Sequence, residues 1–368
     1  MDLINLRNRI NQDSIRRKIL FCATLLTTWG LLVNLSAGSV SGLNQFNDNY
    51  HYIKRHFTSI MIGILFYLIV TKLKDSLIIK MTKISTATVS LLLVYVLAHG
   101  RQSGGATRWI NIGPVNIQPS EFVKIIVILW VAMHLKTFIV SLGSWRNLLR
   151  ATVVPAVLCY FIYQQPDFGT LSVILGILGS MLFFSEISFL LVGFLSLTGV
   201  LVMYFLITTS PYRMDRILSF LSKCDENSDV LGNCYQLIQS RGALGSGGIS
   251  GTGPGTAFSR WGYLPNAHSD FIASIIGEEY GFVGLFLLMI IYSLFIILLY
   301  LYASSSINNY DKYLRLGFAS WMLFQTIFNL GGVVGLLPIT GIVLPFVSYG
   351  GSAMVANFIG LSLALRDG

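Results

Sequence analysis

The sequence predicts an all-α polytopic membrane protein with about ten transmembrane helices and a large extracytoplasmic loop between the seventh and the eighth. Three observations carry that reading. Hydrophobic residues fill 54% of the 368 positions and charged residues only 11%, and the mean hydropathy of +0.69 is too high for a soluble globule. The apolar residues fall in runs near the ~17–25 residues that cross a bilayer as helix. Lysine and arginine are concentrated on alternate sides of those runs.

In chain order the expected spans are 18–39, 57–71, 84–98, 120–135, 151–164, 168–184, 187–208, 280–302, 314–335 and 350–365. The first follows a basic N-terminus and ends in LSAGS, as a signal peptide would, but it exceeds the usual ~7–15 residue apolar core and further spans follow, so it reads as a span. With the N-terminus inside, the inner segments carry Arg7, Arg9, Arg16, Arg17, Lys18, Lys72, Lys74, Lys80, Lys83, Lys136, Arg146, Arg150, Lys312, Arg315 and Arg366. The short outer loops carry only Lys54, Arg55, Arg101 and Arg108. That asymmetry places both termini in the cytoplasm, and the long segment 209–279 can cross with its own charges. The net charge of +9 then reflects topology and anionic lipid. No basic patch interleaved with exposed aromatics points to nucleic acid.

The hydrophilic segments of any length, 99–119 and 209–279, both face outward, so the chemistry is expected there. Within the second, LPNAHSDFIASIIGEEYG sets Asp270 and His268 beside hydrocarbon-grade helix, where ionisable groups are kept for a partner, water or a function. Ser269 or Asp270 can equally cap the helix that follows. Glu278 and Glu279 read as the entry to the eighth span. The glycines upstream lack the Gly-Lys-Ser/Thr of a nucleotide cradle and read as sites of tight turns and close backbone packing. Cys224 and Cys234 bracket nine residues of this loop and form either a disulfide or two thiols, whereas Cys22 and Cys159 lie in spans. No metal-ligand spacing is present.

Three further segments hold polar residues at span ends. In GGATRWINIGPVNIQPSEFVKI, Pro119 suits a helix start, and Glu121 and Lys124 share a helix face as a salt bridge or a ligand contact. Trp109 after Arg108 reads as an interfacial anchor. Asp167, between the fifth and sixth spans, is either a helix cap or a group facing a polar cavity. GLLPITGIVLPFVSYGGSA breaks the helical pattern at membrane depth, which is tolerated only where backbone is buried in protein or lines a wet cavity. Ser348, Tyr349 and the Gly350 and Gly351 amides are therefore candidate site groups.

GATRWI at Gly105–Ile110, QPSEFVK at Gln118–Lys124, QPDFGT at Gln165–Thr170, YQLIQS at Tyr235–Ser240, LPNAHSDFI at Leu264–Ile272, GEEYGFVG at Gly277–Gly284 and LPFVSYGGSA at Leu344–Ala353 together resemble the SEDS family. These are the membrane peptidoglycan polymerases that include FtsW, RodA and SpoVE. The resemblance covers nearly the whole chain, as one integral membrane domain over 1–368. Asn266, Ser269 and Ala353 depart from the residues common in the family, and the balance of motifs leans toward FtsW over RodA.

The resemblance implies polymerisation of lipid II, with the 4-hydroxyl of an acceptor GlcNAc attacking carbon 1 of a donor MurNAc with inversion. It makes Asp270 the essential carboxylate and assigns Trp109, Glu121, Lys124 and Asp167 to the polar cavity. A positioned base is worth ~10²–10⁴-fold. Arg108, Lys124, Arg241 or a divalent cation, Mg²⁺ or Mn²⁺, would hold the leaving diphosphate. It also implies a class B penicillin-binding protein as transpeptidase partner, in division or elongation. A lipid II flippase and a noncatalytic division scaffold are the rival readings.

Overall fold

The computed structural model describes residues 2–103, 106–113, 115–140, 145–185 and 234–366, with isolated positions 193, 199 and 208. The expected seventh span, apart from those positions, and Cys224 lie outside the described residues. Among these, the helices are α1 (Asp2–Ala37), α2 (Ser39–Phe46), α3 (His51–Val70), α4 (Asp75–His99), α5 (Pro119–Val140), α6 (Trp145–Gln164), α7 (Phe168–Phe183), α8 (Tyr235–Gly247), α9 (Ile272–Ser304), α10 (Asn309–Val334) and α11 (Gly351–Leu365). A helix stands at each of the other nine expected spans. Five of the helices are long and apolar enough to cross a membrane: α1 from Gln12, α3, α4, α9 and α10.

Two corrections to the sequence reading concern the outer face. The segment after α4 is a three-stranded antiparallel sheet, β1 (Arg101–Ser103), β2 (Ala106–Ile112) and β3 (Val115–Ile117), rather than loop. Arg101 pairs with Trp109, and Ile110 with Ile117. Its signal is the two-residue alternation of ATRWINI, followed by a reversal at Gly113, which adopts φ +60°. The eighth span also begins earlier than 280. Ile272–Tyr280 is already helical, and α9 changes direction at Gly281, where φ is +66° and ψ −165°.

α10 is the hub. It packs against α5, α7, α9 and α11 and buries Trp321, Met322, Gln325 and Asn329 along its length. Around it, α3 and α4 keep Leu65, Phe66, Leu91 and Tyr95 exposed, as helices facing lipid do. At one end of the bundle Arg366 pairs with Asp75 and lies 3.8 Å from Asp311, while Arg315 donates to the Ala364 carbonyl at 3.1 Å and stacks over Tyr302. The sheet, α8 and the turn before α9 gather at the other end.

The glycine-rich run after α8 packs main chain against main chain. A Cβ on Gly247 would overlap the Gly277 carbonyl oxygen, and one on Gly251, at φ +83°, would overlap that of Glu279. The run is held from below by the acidic pair. Glu278 accepts from the Phe258 and Ser259 amides at 2.8 and 3.3 Å, and Glu279 accepts from the Ser36 hydroxyl at 2.5 Å. Gly251→Ala is expected to lower the thermal midpoint in detergent, whereas Gly242→Ala, in open space on α8, raises it by adding helix propensity worth ~1 kcal/mol. Equal midpoints for the two variants would contradict this packing.

Candidate functional site

The LPNAHSDF segment folds as a tight turn before α9. Asn266 sits at φ +56°, a left-handed conformation that asparagine tolerates, and its carbonyl accepts from the Ser269 and Phe271 amides at 3.1 and 3.4 Å. That turn carries Asp270 to the rim of the bundle, half-buried. Neither Ser269 nor Asp270 caps the helix: the N-cap position is Phe271, which makes no side-chain cap bond.

The segment between α10 and α11 passes directly beside it. Gly341 adopts φ +67°, and a Cβ there would lie 3.5 Å from Oδ2 of Asp270 and 4.0 Å from Nη1 of Arg108. The carboxylate and the guanidinium thus converge on one small gap. Arg108 comes from β2, where alternation puts it on the face opposite Trp109. It reaches Asp167 Oδ1 at 3.5 Å and donates to the Pro166 carbonyl at 3.2 Å, and its buried Nε–H has no partner among the described residues. Asp167 takes up the expected capping role. It caps α7 through the Thr170 amide at 3.3 Å and accepts from Ser120 Oγ at 3.1 Å and Gln118 Nε2 at 3.4 Å.

His268 lies under this centre, between Tyr52 of α3, with ring centroids 4.1 Å apart, and Tyr349 at 5.5 Å. Its carbonyl accepts from the Tyr349 amide at 3.0 Å. Burial pushes its imidazole down to about 4, so it is neutral at physiological pH and contributes no cation.

Other expected site residues are engaged elsewhere. Lys124, fully buried, donates to Glu121 and to Gln325 at 2.8 Å each and lies 4.9 Å from the Trp321 ring. The expected pair forms as a salt bridge buried within the bundle. Arg241 donates to the Gly335 carbonyl at 3.3 Å, capping the C-terminus of α10 instead of joining Arg108. Ser348 Oγ, also buried, accepts from the Leu344 amide at 2.9 Å, closing its own turn. Gly350 and Gly351 open α11; a Cβ on Gly350 would stand 3.3 Å from Val343 and one on Gly351 3.4 Å from Ser59 Oγ of α3, so neither glycine faces an open gap. Cys234 is disulfide-bonded, and Cys22 and Cys159 are free.

Sequence reading missed Gly341, Tyr52, Gln325 and Asn329. Asn329 Nδ2 donates to the Asp270 carbonyl at 2.9 Å and to the Ile342 carbonyl at 2.7 Å. The available signal was a pair of amides four residues apart inside an apolar span. No cluster of three His, Cys, Asp or Glu side chains suited to a metal occurs among the described residues.

The sequence matches the FtsW/RodA/SpoVE family, described as cell cycle proteins, over residues 16–366. The chain belongs to that family. Similar proteins include one from Wigglesworthia glossinidia brevipalpis named probable peptidoglycan glycosyltransferase FtsW, 33% identical over 99% of this chain and 96% of that protein. A Coxiella burnetii protein of the same name is 33% identical over 95% of this chain and 94% of its own. Among solved structures, a chain from a study of the structural coordination of polymerization and crosslinking by a peptidoglycan synthase complex superposes with a TM-score of 0.74. It is 28% identical and covers 94% of this chain and 95% of itself. The Thermus thermophilus rod shape determining protein RodA gives 0.68 at 25% identity, covering 94% of each chain. The family assignment and the apolar helices make this a multi-pass membrane protein.

The buried groups make two outcomes measurable. His268 is neutral when folded but binds a proton near pH 6.5 when unfolded, so folded stability falls as pH drops from about 6.5 toward 4. His268→Phe keeps a ring between the tyrosines and flattens that stretch of a thermal midpoint-against-pH curve; an unchanged slope would contradict the assignment. Glu121→Ala strands the buried Lys124 charge at ~3–5 kcal/mol, and the double variant Glu121→Ala/Lys124→Met recovers most of the loss in equilibrium unfolding. A double variant no more stable than the single one would show that the pair is not the source of the cost.

Proposed function

We propose that this chain polymerises lipid II into glycan strands on the outer face of the bacterial cytoplasmic membrane, as an inverting peptidoglycan glycosyltransferase. The observation that carries the reading is the convergence of Asp270 and Arg108 on the gap beside Gly341. A general base and a phosphate-binding cation must stand on either side of one reacting carbon. Asp270 takes the proton from the acceptor 4-hydroxyl as its oxygen bonds to carbon 1 of the donor sugar. The bond from carbon 1 to the diphosphate oxygen breaks, and undecaprenyl diphosphate leaves toward the guanidinium of Arg108. Of the cations considered from sequence, Arg108 is the one beside Asp270, and it retains a buried Nε–H to offer. Asp167 fixes that guanidinium from its other side.

A Mg²⁺ or Mn²⁺ ion would need the substrate's own phosphates as ligands, since one or two carboxylates with phosphate oxygens suffice for such ions. Asp270 and Asp167 are the acidic groups available to it, and it would add positive charge at the leaving group.

Lys72, Lys74, Lys312, Arg315 and Arg366, in the loops and helix ends at the end of the bundle opposite Asp270, support the positive-inside orientation, with both termini in the cytoplasm. The resemblance to a chain of a peptidoglycan synthase complex supports a transpeptidase partner of the class B penicillin-binding type. The FtsW names of the curated relatives favour service in septal wall synthesis. The ligands are lipid, glycan and protein, with no nucleic acid.

Purified protein in detergent or nanodiscs, with and without its partner, is expected to convert purified lipid II to glycan strands. Asp270→Asn abolishes product while the variant remains folded. Arg108→Ala loses ~10²–10³-fold in rate, the scale of one lost charge-stabilising contact, and Arg108→Lys recovers part of it. Product from Asp270→Asn at the wild-type rate would remove Asp270 from the chemistry. Transbilayer movement of lipid II without product would favour a flippase.

A further inference from the structure

We infer that Asn329 is a positioning residue for Asp270, and that a row of side chains on α10, Trp321, Gln325 and Asn329, makes the buried Lys124–Glu121 pair part of the same support. The inference rests on the reading of Asp270 as the base and goes beyond it, because neither amide touches substrate. Asn329 is 4% exposed and spends both N–H groups of its amide on backbone carbonyls, those of Asp270 and Ile342. Two acceptors facing one end of the side chain fix which end is nitrogen, since the flipped amide would set oxygen against oxygen. One side chain therefore ties the aspartate to the strand that carries Gly341, the residue beside its carboxylate.

One helical turn earlier the pattern repeats. Gln325 Nε2 donates to the Val343 carbonyl at 2.8 Å. Its Oε1 accepts from Lys124 Nζ at 2.8 Å and from Trp321 Nε1 at 2.5 Å. Residues 321, 325 and 329 lie on one face at i, i+4 and i+8. The row runs from the Lys124–Glu121 pair through Val343 and Ile342 to the main chain of Asp270. The buried pair thus acts at the site through Gln325.

A displacement near 1 Å of a reacting group can cost ~10²-fold in rate without weakening binding. Asn329→Ala is accordingly expected to lower kcat for lipid II polymerisation ~10–100-fold while KM stays within about twofold. Asn329→Ser, whose hydroxyl can hold one of the two carbonyls, recovers part of kcat. Gln325→Ala gives the same split with a smaller loss. Asn357→Ala, an equally buried asparagine on α11, lowers thermal stability without separating kcat from KM.

Wild type and Asp270→Asn are assayed alongside. If wild type makes glycan and Asp270→Asn does not, yet Asn329→Ala and Asn329→Ser both keep wild-type kcat, the positioning role is overturned and the function stands. The positioning role is likewise overturned if kcat falls only in step with the folded fraction. Should Asn329→Ala fail to fold, Asn329→Ser carries the test alone. Wild type without product, or Asp270→Asn with full product, overturns both the function and the positioning role.

Discussion

Irregular backbone at membrane depth has to find its hydrogen bonds inside the protein, because hydrocarbon supplies none. The segment between α10 and α11 meets that requirement at five of its carbonyls. Ile342 is bonded by Asn329, Val343 by Gln325, Pro345 by Tyr292 and Val347 by Asn34, while Leu344 is bonded within its own turn. Side chains from α1, α9 and α10 thereby hold a non-helical strand in one path. Everything at the site is referred to that strand: Gly341 lies beside Asp270 and Arg108, and Tyr349 anchors His268.

The bonding explains why polar residues recur inside helices that composition marks as spans. A lysine, a glutamate and two amides are costly in hydrocarbon, but here each meets a partner within the bundle. Their common service is to the outer end, where a carboxylate and a guanidinium stand partly exposed and face one gap. The glycine-rich run packs against the main chain of Gly277 and Glu279 in the first turns of α9, the helix that follows Asp270. A glycosyl transfer asks for little more from protein than this: a base, a cation and a fixed separation between them.

Much of this was legible in the chain. Hydropathy and the lysine and arginine bias marked the helices, and Gly247 and Gly251 do pack backbone on backbone as their spacing suggested. The Glu121–Lys124 pair was visible at three residues' separation. Its destination was not, because Gln325 lies 201 residues beyond Lys124 and nothing local marks it as a partner. Sequence ranked Arg108, Lys124 and Arg241 alike as cations; folding separated them, sending one to Asp167 beside the Gly341 gap, one into the bundle and one to a helix end. The small sheet was overlooked because its strands are short and its turn residues read as loop. Gly341 carried no signal at all, since its importance is the space it leaves.

The central claim is that Asp270 does chemistry on the bound substrate instead of holding it. The direct measurement is the affinity of folded Asp270→Asn for lipid II, read by native mass spectrometry beside wild type. The account predicts a dissociation constant within a few-fold of wild type in a variant that makes no glycan. Loss of binding in step with loss of product would contradict it and make Asp270 a binding residue.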